Sequence, residues 1–493
     1  MKLTVQNIYD YYSPYPCEKR LYYRFKGEKE APPGPFEEVL FMLGERHEKN
    51  HISTLGEYYD VSKFPYEQRA AKTIEAIGNS IPIIYQGVLV AEDTIDDVNV
   101  EITGIPDVMI YQNSGYIIRD CKLARHVDEE RHPEILYQLQ VYGYLFESIT
   151  GMKPIRLEAF LGDSTTVEIP YDDGNLAKEI LKEILDIVEL PEIPYSPVGW
   201  SKCQDCGFRA ICWDLAVRNN DIAMVYGVEQ NLARVLRENG MTTIADLLNN
   251  FDETTLSELK IPKGNSTKKV GKKATGILLH AKAMKEGENI RLEKIDLPEN
   301  PNLVMFDIEG FPPHLDELEK IYLWGLQVYG KKQGAYVYAL STIEDDGDRK
   351  GWEAFLSNCH AIFDEYGDIP FIHWSSYEKT KMQLYTERYG DSNGIAQRVT
   401  NNLVDLLPMT RKAIVLAEPS YSLKVVEKLA GFKRSQDEYG GTWAMAKYIE
   451  AVETENQNVR DEIISEIMKY NEEDLAAMWA VFQWLKKQID ANR

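Results

Sequence analysis

The stretch GIPDVMIYQNSGYIIRDCKLA (104–124) decides how the first part of this chain is read. Two apolar runs flank QNSG, a turn signal, so the segment predicts a β-hairpin. Side chains alternate across a strand, which puts Asp120 and Lys122 on one face and Cys121 on the other. Asp107 lies one hairpin away and can meet Asp120 across the pair. Two carboxylates with a neighbouring lysine suit a site that holds a divalent cation and orients a water beside it. An Asp-x-Lys triplet alone carries little, because such triplets are common, so the flanks must supply the meaning.

Upstream, FEEVLFMLGERHEKNHISTL (36–55) reads as a helix carrying Gly44 and His47. Downstream, HPEILYQLQVYGYLFESIT (132–150) has a helical rhythm that places Gln138 and Tyr142 on one face. Taken in order, His47, Pro106-Asp107, Asp120-x-Lys122 and Gln138-x-x-x-Tyr142 resemble the RecB-like branch of the PD-(D/E)xK nucleases. The resemblance implies a restriction-endonuclease-like core over 1–215. It also implies that His47, Asp107 and Asp120 bind Mg²⁺ or Mn²⁺, that Lys122 helps activate water, and that Gln138 and Tyr142 fix the lysine and the DNA.

KCQDCGFRAIC (202–212) supplies Cys203, Cys206 and Cys212, three thiols that can converge on one soft metal, with Cys17 as candidate fourth ligand. Ligand chemistry leaves zinc and iron–sulfur both open. A CxxC redox pair is disfavoured by the third cysteine and by the lack of a surrounding βαβ unit. One cysteine before the core and Cys-x2-Cys-x5-Cys after it resembles the iron–sulfur RecB-family nucleases. That likeness implies a [4Fe-4S] cluster, with zinc as the alternative. Cys121 and Cys359 stand apart and read as buried thiols without a ligand role.

Residues 216–290 change character. LARVLRENGMTTIADLLNNF (232–251) resembles one helix-hairpin-helix unit, a module whose turn contacts DNA phosphates. After it, residues 260–285 carry eight lysines and no carboxylate. Lys268, Lys269, Lys272 and Lys273 are the candidate nucleic-acid contacts, against a plain solvated loop. A P-loop is excluded: Gly264 and Gly271 are too far apart, and Lys273 stands where Ser or Thr is required, so no ATP site is found.

The segment 298–493 opens with two strand signals, LVMFDIEG and IYLWGLQVYG. Asp307 and Glu309 fall two apart on one strand face, and YNEED (470–474) sets Tyr470 and Asp474 one helical turn apart. The set resembles the DEDD exonucleases of the ribonuclease H-like fold, in the subclass with tyrosine in its last motif. YSLKVVEKLAGF (421–432) is similar to the Ser-Leu-Lys helix of the YprB-type branch. The resemblance implies metal ligation by Asp307, Glu309 and Asp474, with Tyr470 on the water. Where the family has a further aspartate, this chain offers Glu378 with His373 nearby, or Asp405. Glu378 is the expected fourth ligand.

The whole is thus expected to be an α/β multidomain protein: a PD-(D/E)xK core, a small helical segment and a ribonuclease H-like domain. With 493 residues and 44% hydrophobic composition it has ample material for several cores. The net charge of −24 argues against a general polyanion binder and makes the local lysine run the more telling feature. No apolar run reaches the roughly 18 residues that cross a bilayer. The opening residues show no secretory h-region, so a cytoplasmic, membrane-free protein is expected. The two resemblances imply an Mg²⁺- or Mn²⁺-dependent deoxyribonuclease, working as an exonuclease on single-stranded ends in repair, recombination or defence. The rival readings are a non-catalytic nucleic-acid-binding or assembly factor, and an enzyme with one active domain that acts on RNA.

Overall fold

The computed structural model describes residues 1–128, 131–264, 266–311, 319–342, 346–435 and 440–490. It divides into two units, 1–196 with 205–208, and 197–204 with 209–493.

In the first unit a six-stranded sheet runs in the order Tyr59–Asp60 (β1), Ile83–Tyr85 (β2), Val108–Gln112 (β3), Gly115–Cys121 (β4), Arg156–Phe160 (β5) and Thr166–Ile169 (β6). The pairs β1/β2 and β4/β5 are parallel, and the others are antiparallel. The helices Pro35–Leu55 (α1) and Pro133–Thr150 (α2) both pack on β4. Covered in this way, the strand buries nearly every residue, which explains its almost unbroken apolar run. Pro133 opens α2 at its first turn, where a missing N–H costs nothing, and Gly151 closes it in the left-handed region.

One expectation fails in detail. VNVEITGIPDVMIY (98–111) reads as a single strand, yet it forms two strands in two sheets. Val98–Gly104 pairs with Lys2–Thr4 and Leu89–Ile95, while β3 pairs with β2 and β4. Pro106 sits at the break: it has no N–H for a ladder, and the chain changes sheet there. Gly104 ends the first strand where a Cβ would stand 2.8 Å from the Tyr142 ring, so only glycine lets α2 come this close.

The second unit holds a five-stranded sheet in the order Tyr336–Leu340, Lys320–Gly330, Asn302–Phe311, Phe371–His373, Leu403–Asp405. In chain order these are β7 (Asn302–Phe311), β8 (Lys320–Gly330), β9 (Tyr336–Leu340), β10 (Phe371–His373) and β11 (Leu403–Asp405). The strands β7, β8 and β9 form an antiparallel meander, and β10 and β11 add parallel to β7. On one face the core is aromatic, with Phe306 and Trp324 packed on Trp352 and Phe355. On the other lies the long helix Gln457–Asp490, whose Leu475, Met478, Val481 and Phe482 are buried.

The middle segment carries its own small core. Gln230–Glu238 and Ile244–Asn250 are helices, the second with a capping box from Thr243 and Asp246. The lysine-rich stretch is more ordered than a loop. Lys260–Lys263 and Ser266–Lys269 pair as an antiparallel ribbon, and the helix Lys273–Glu286 follows. Ile261, Val270 and Ile277 bury beneath it, so the apolar spacing between the lysines supplied a core that the charges obscured.

Candidate functional sites

The first candidate site gathers at the β3/β4 hairpin. Asp107 immediately precedes β3, and its Oδ2 accepts the Cys121 backbone N–H at 2.7 Å. Its Oδ1 accepts from Gln86 Nε2 at 3.0 Å, and the same amide also donates to Glu48 Oε1 at 2.6 Å. Gln86 has φ 53°, a left-handed conformation that is uncommon outside glycine and fits a residue held in place for a purpose. Asp120 is buried, and Lys122 Nζ pairs with its Oδ2 at 2.7 Å. Burial holds the Asp107 carboxyl well above the usual range, with Asp120 and Glu48 adding repulsion. Burial would lower Lys122, but Asp120 and Asp107 outweigh it and raise the ammonium above its ordinary value. The lysine is therefore a cation in this arrangement, a donor rather than a proton acceptor.

Gln138 and Tyr142 are both buried on α2. Tyr142 donates to the Ile105 carbonyl at 3.1 Å, and burial beside Asp120 and Asp107 pushes its phenol well up. Gln138 Oε1 is buried with no hydrogen-bond partner among the described residues, an orphaned acceptor in the wall of the same helix. His47 instead faces β5: its ring stacks on Phe160, and Nε2 lies 3.4 Å from the Phe160 carbonyl. His51, one turn on, also stacks on Phe160, and its Nε2 meets Arg119, which is paired with the buried Glu158. Burial pushes the His51 imidazole down to about 4, with Arg119 contributing.

The second candidate site is more tightly drawn. Among the described residues, Asp307, Glu309 and Asp474 form the group of three whose ligand oxygens lie within 4.8 Å of one another. Burial holds all three carboxyls above their ordinary values, and proximity to Asp474 raises Asp307 and Glu309 further. Carboxylates that crowd one another in a buried place suit a divalent cation, which removes both penalties. Asn471 Nδ2 donates to Asp307 Oδ2 at 2.7 Å, and the Tyr336 hydroxyl donates to Asn471 Oδ1 at 3.0 Å. Arg434 is buried, forks onto Glu427 with two bonds of 2.7 Å, and also pairs with Asp474 Oδ1. Tyr470 is buried beside Asp474, and burial with the nearby carboxylates pushes its phenol well up.

Glu378 stands outside that group of three. It is buried, and its Oε2 meets His373 Nδ1 at 3.2 Å. Asp405 caps a helix: its Oδ1 accepts from the N–H groups of Ser375 and Leu407, each at 3.0 Å.

Cys17 caps the helix Glu18–Phe25 by accepting from the Arg20 N–H at 3.4 Å, and Cys203, Cys206 and Cys212 are half-buried. Among the described residues no three of them bring their sulfurs within 4.8 Å of one another. The iron–sulfur expectation thus rests on the family resemblance alone. Cys359 is fully buried, as expected, whereas Cys121 is half-buried in β4. Its thiol is raised by burial and by Asp107 and Asp120.

Four residues of these sites escaped the sequence reading: Glu48, Gln86, Asn471 and Arg434. Asn471 was recoverable, because it sits one residue after Tyr470 and three before Asp474 on one helix. Glu48 and Gln86 reach Asp107 from distant parts of the chain and leave no local pattern.

Residues 36–213 match the family model of the PD-(D/E)XK nuclease superfamily, and residues 304–486 match that of the RNase H superfamily. No curated protein matches the chain. Among solved structures, a crystal structure of SSO0001 shares 15% identity over 35% of this chain and 95% of its own, with a TM-score of 0.20.

Proposed function

We propose, for a nuclease that joins a PD-(D/E)XK superfamily domain to an RNase H superfamily domain, that both domains hydrolyse DNA with Mg²⁺ or Mn²⁺ and that they act on single-stranded ends. The observation that carries this reading is the close-set trio of Asp307, half-buried, with Glu309 and Asp474, both buried. Its residues would hold a divalent cation, which supplies charge neutralisation for the phosphate and a more acidic bound water. Tyr470, buried beside Asp474, orients a water at that place. In the other domain Asp107 and Asp120 are the ligands, and His47 is a further one by family likeness, although its ring stacks on Phe160. Lys122, held protonated, steers a water or the phosphate oxygen that gains charge. Gln138 and Tyr142 line the same wall, and Glu378 acts beside the second site. A [4Fe-4S] cluster on Cys17, Cys203, Cys206 and Cys212, or zinc in its place, rests on the cysteine spacing, and no step above depends on it. The domain limits we adopt are 1–215, 216–290 and 298–493, and the working compartment is the cytoplasm, in repair, recombination or defence.

By likeness to the two families, the two sites work from opposite ends, 5′ for the first and 3′ for the second. Single-stranded DNA labelled at either end is digested with Mn²⁺ or with EDTA. Lys122→Ala is expected to lose 5′ degradation alone and Asp307→Ala to lose 3′ degradation alone. If both variants lose the same activity, the two-site reading is wrong. One observation favours a second reading, in which one domain cuts and the other grips the strand. Glu378 is tied to His373 rather than to the acidic trio, and Lys122→Ala would then abolish all cleavage. An RNA strand in the same digest tests the other polymer, and retained binding without cleavage would indicate a non-catalytic factor.

A further inference from the structure

The acidic trio needs something to hold it in shape before any cation arrives, since like charges in a buried place push apart. Asn471 has the position for that task. It is fully buried, lies on the helix that carries Tyr470 and Asp474, and spends both ends of its amide. Asp307 as a carboxylate only accepts, so the nitrogen must face it, and the Tyr336 hydroxyl takes the oxygen. The same amide lies by Glu309 and favours its ionised form, against the burial that raises it. The sheet makes room in a specific way. Gly325 of β8 is the register partner of Asp307, and a Cβ there would lie 1.8 Å from Asn471 Oδ1. Strand, glycine and tyrosine together leave the amide one orientation.

We infer that Asn471 is the positioning residue of the second site: it fixes Asp307 through one oxygen and keeps Asp307 and Glu309 turned toward a divalent cation. The inference rests on the metal reading of that trio. With one lone pair of Oδ2 taken by the amide, the carboxylate is held in one rotation and presents its remaining lone pairs to the ion. Outer hydrogen bonds of this kind are worth about 10–100-fold in metal affinity.

The test is Mn²⁺ binding by calorimetric titration and Mn²⁺ electron paramagnetic resonance. It uses the full-length chain with Asp107→Asn and Asp120→Asn, so that the first site does not contribute. Asn471→Ala is expected to weaken Mn²⁺ binding by about 10–100-fold. Tyr336→Phe, which keeps the ring and frees the amide to rotate, is expected to weaken it several-fold with little change in thermal midpoint. Should Asn471→Ala fail to fold, Tyr336→Phe still decides. Unchanged Mn²⁺ affinity in the folded variants overturns the positioning role and leaves the metal site standing. If the background chain binds no Mn²⁺, or if Asp307→Ala leaves binding intact, the reading of the trio falls and the inference with it.

Discussion

Arg434 is the one residue whose removal should separate structure from metal binding at the second site. Its side chain is buried with Glu427, and the pair forks together, while the same guanidinium reaches Asp474. A buried cation between two carboxylates is costly to create and costlier to break, because each lost partner leaves an uncompensated charge. Arg434→Met is therefore expected to destabilise the metal-free protein by about 3–5 kcal/mol, read from the urea midpoint. Added Mn²⁺ should recover part of the loss, since a cation at the trio neutralises Asp474 in the arginine's place. No recovery would mean that Asp474 has no share in the metal site. Of these contacts only the acids were legible. Asp307, Glu309, Tyr470 and Asp474 declare themselves by strand and helix spacing, whereas Arg434 reaches Asp474 across forty residues. No local rule links the two.

At the scale of elements, the helix Lys273–Glu286 shows what a charge-rich stretch hides. His280 is buried on it, with Nδ1 3.2 Å from the Leu416 carbonyl and its ring beside Tyr226 and Tyr421. Burial pushes its imidazole down to about 4, with Arg411 assisting against the Leu416 bond. Arg411 also packs over Tyr226 and Tyr421, so the other charged group facing the ring is itself a cation. The unfolded chain takes its proton near pH 6.5 and the folded one near pH 4, so the unfolded state binds more protons in between. Stability from this group is full above about pH 6.5 and is lost as the pH falls toward 4, on the order of 3 kcal/mol. A thermal midpoint that drops over that window in the parent and less steeply in His280→Gln supports the assignment. Equal slopes would refute it. Elements with a clean period were readable: α1, α2 and the β3/β4 hairpin follow their sequence signals. Two were not. Pro106 splits what looks like one strand between two sheets, and the lysine ribbon is masked because its apolar positions are few and set among charges.

For the whole molecule the question is how a chain of net charge −24 meets a polyanion. The answer must be local, because charges beyond about 10 Å are screened at ordinary salt. Lys269 pairs with Glu258 and Lys273 with Glu229 at the surface, so two of the four candidate lysines already have an acidic partner. Lys268 lies on the exposed ribbon strand Ser266–Lys269, and Lys272 caps the helix that follows; neither has an ion pair among the described residues. These two should carry most of the strand contact. Each phosphate neutralised releases counterions, which gives a slope of about −0.7 per contact in log affinity against log salt for a single strand. Replacing Lys268 and Lys272 together by Ala is expected to flatten that slope by about 1.4 and to weaken binding alike for all sequences. Replacing Lys269 and Lys273 should flatten it much less. Fluorescence anisotropy of a labelled oligonucleotide at several salt concentrations, in EDTA to prevent cleavage, reads both slopes. If the paired and unpaired lysines contribute equally, the ion pairs open on binding. If neither pair matters, the lysine ribbon is a solvated face, and the strand is held by the two acidic sites and their cations.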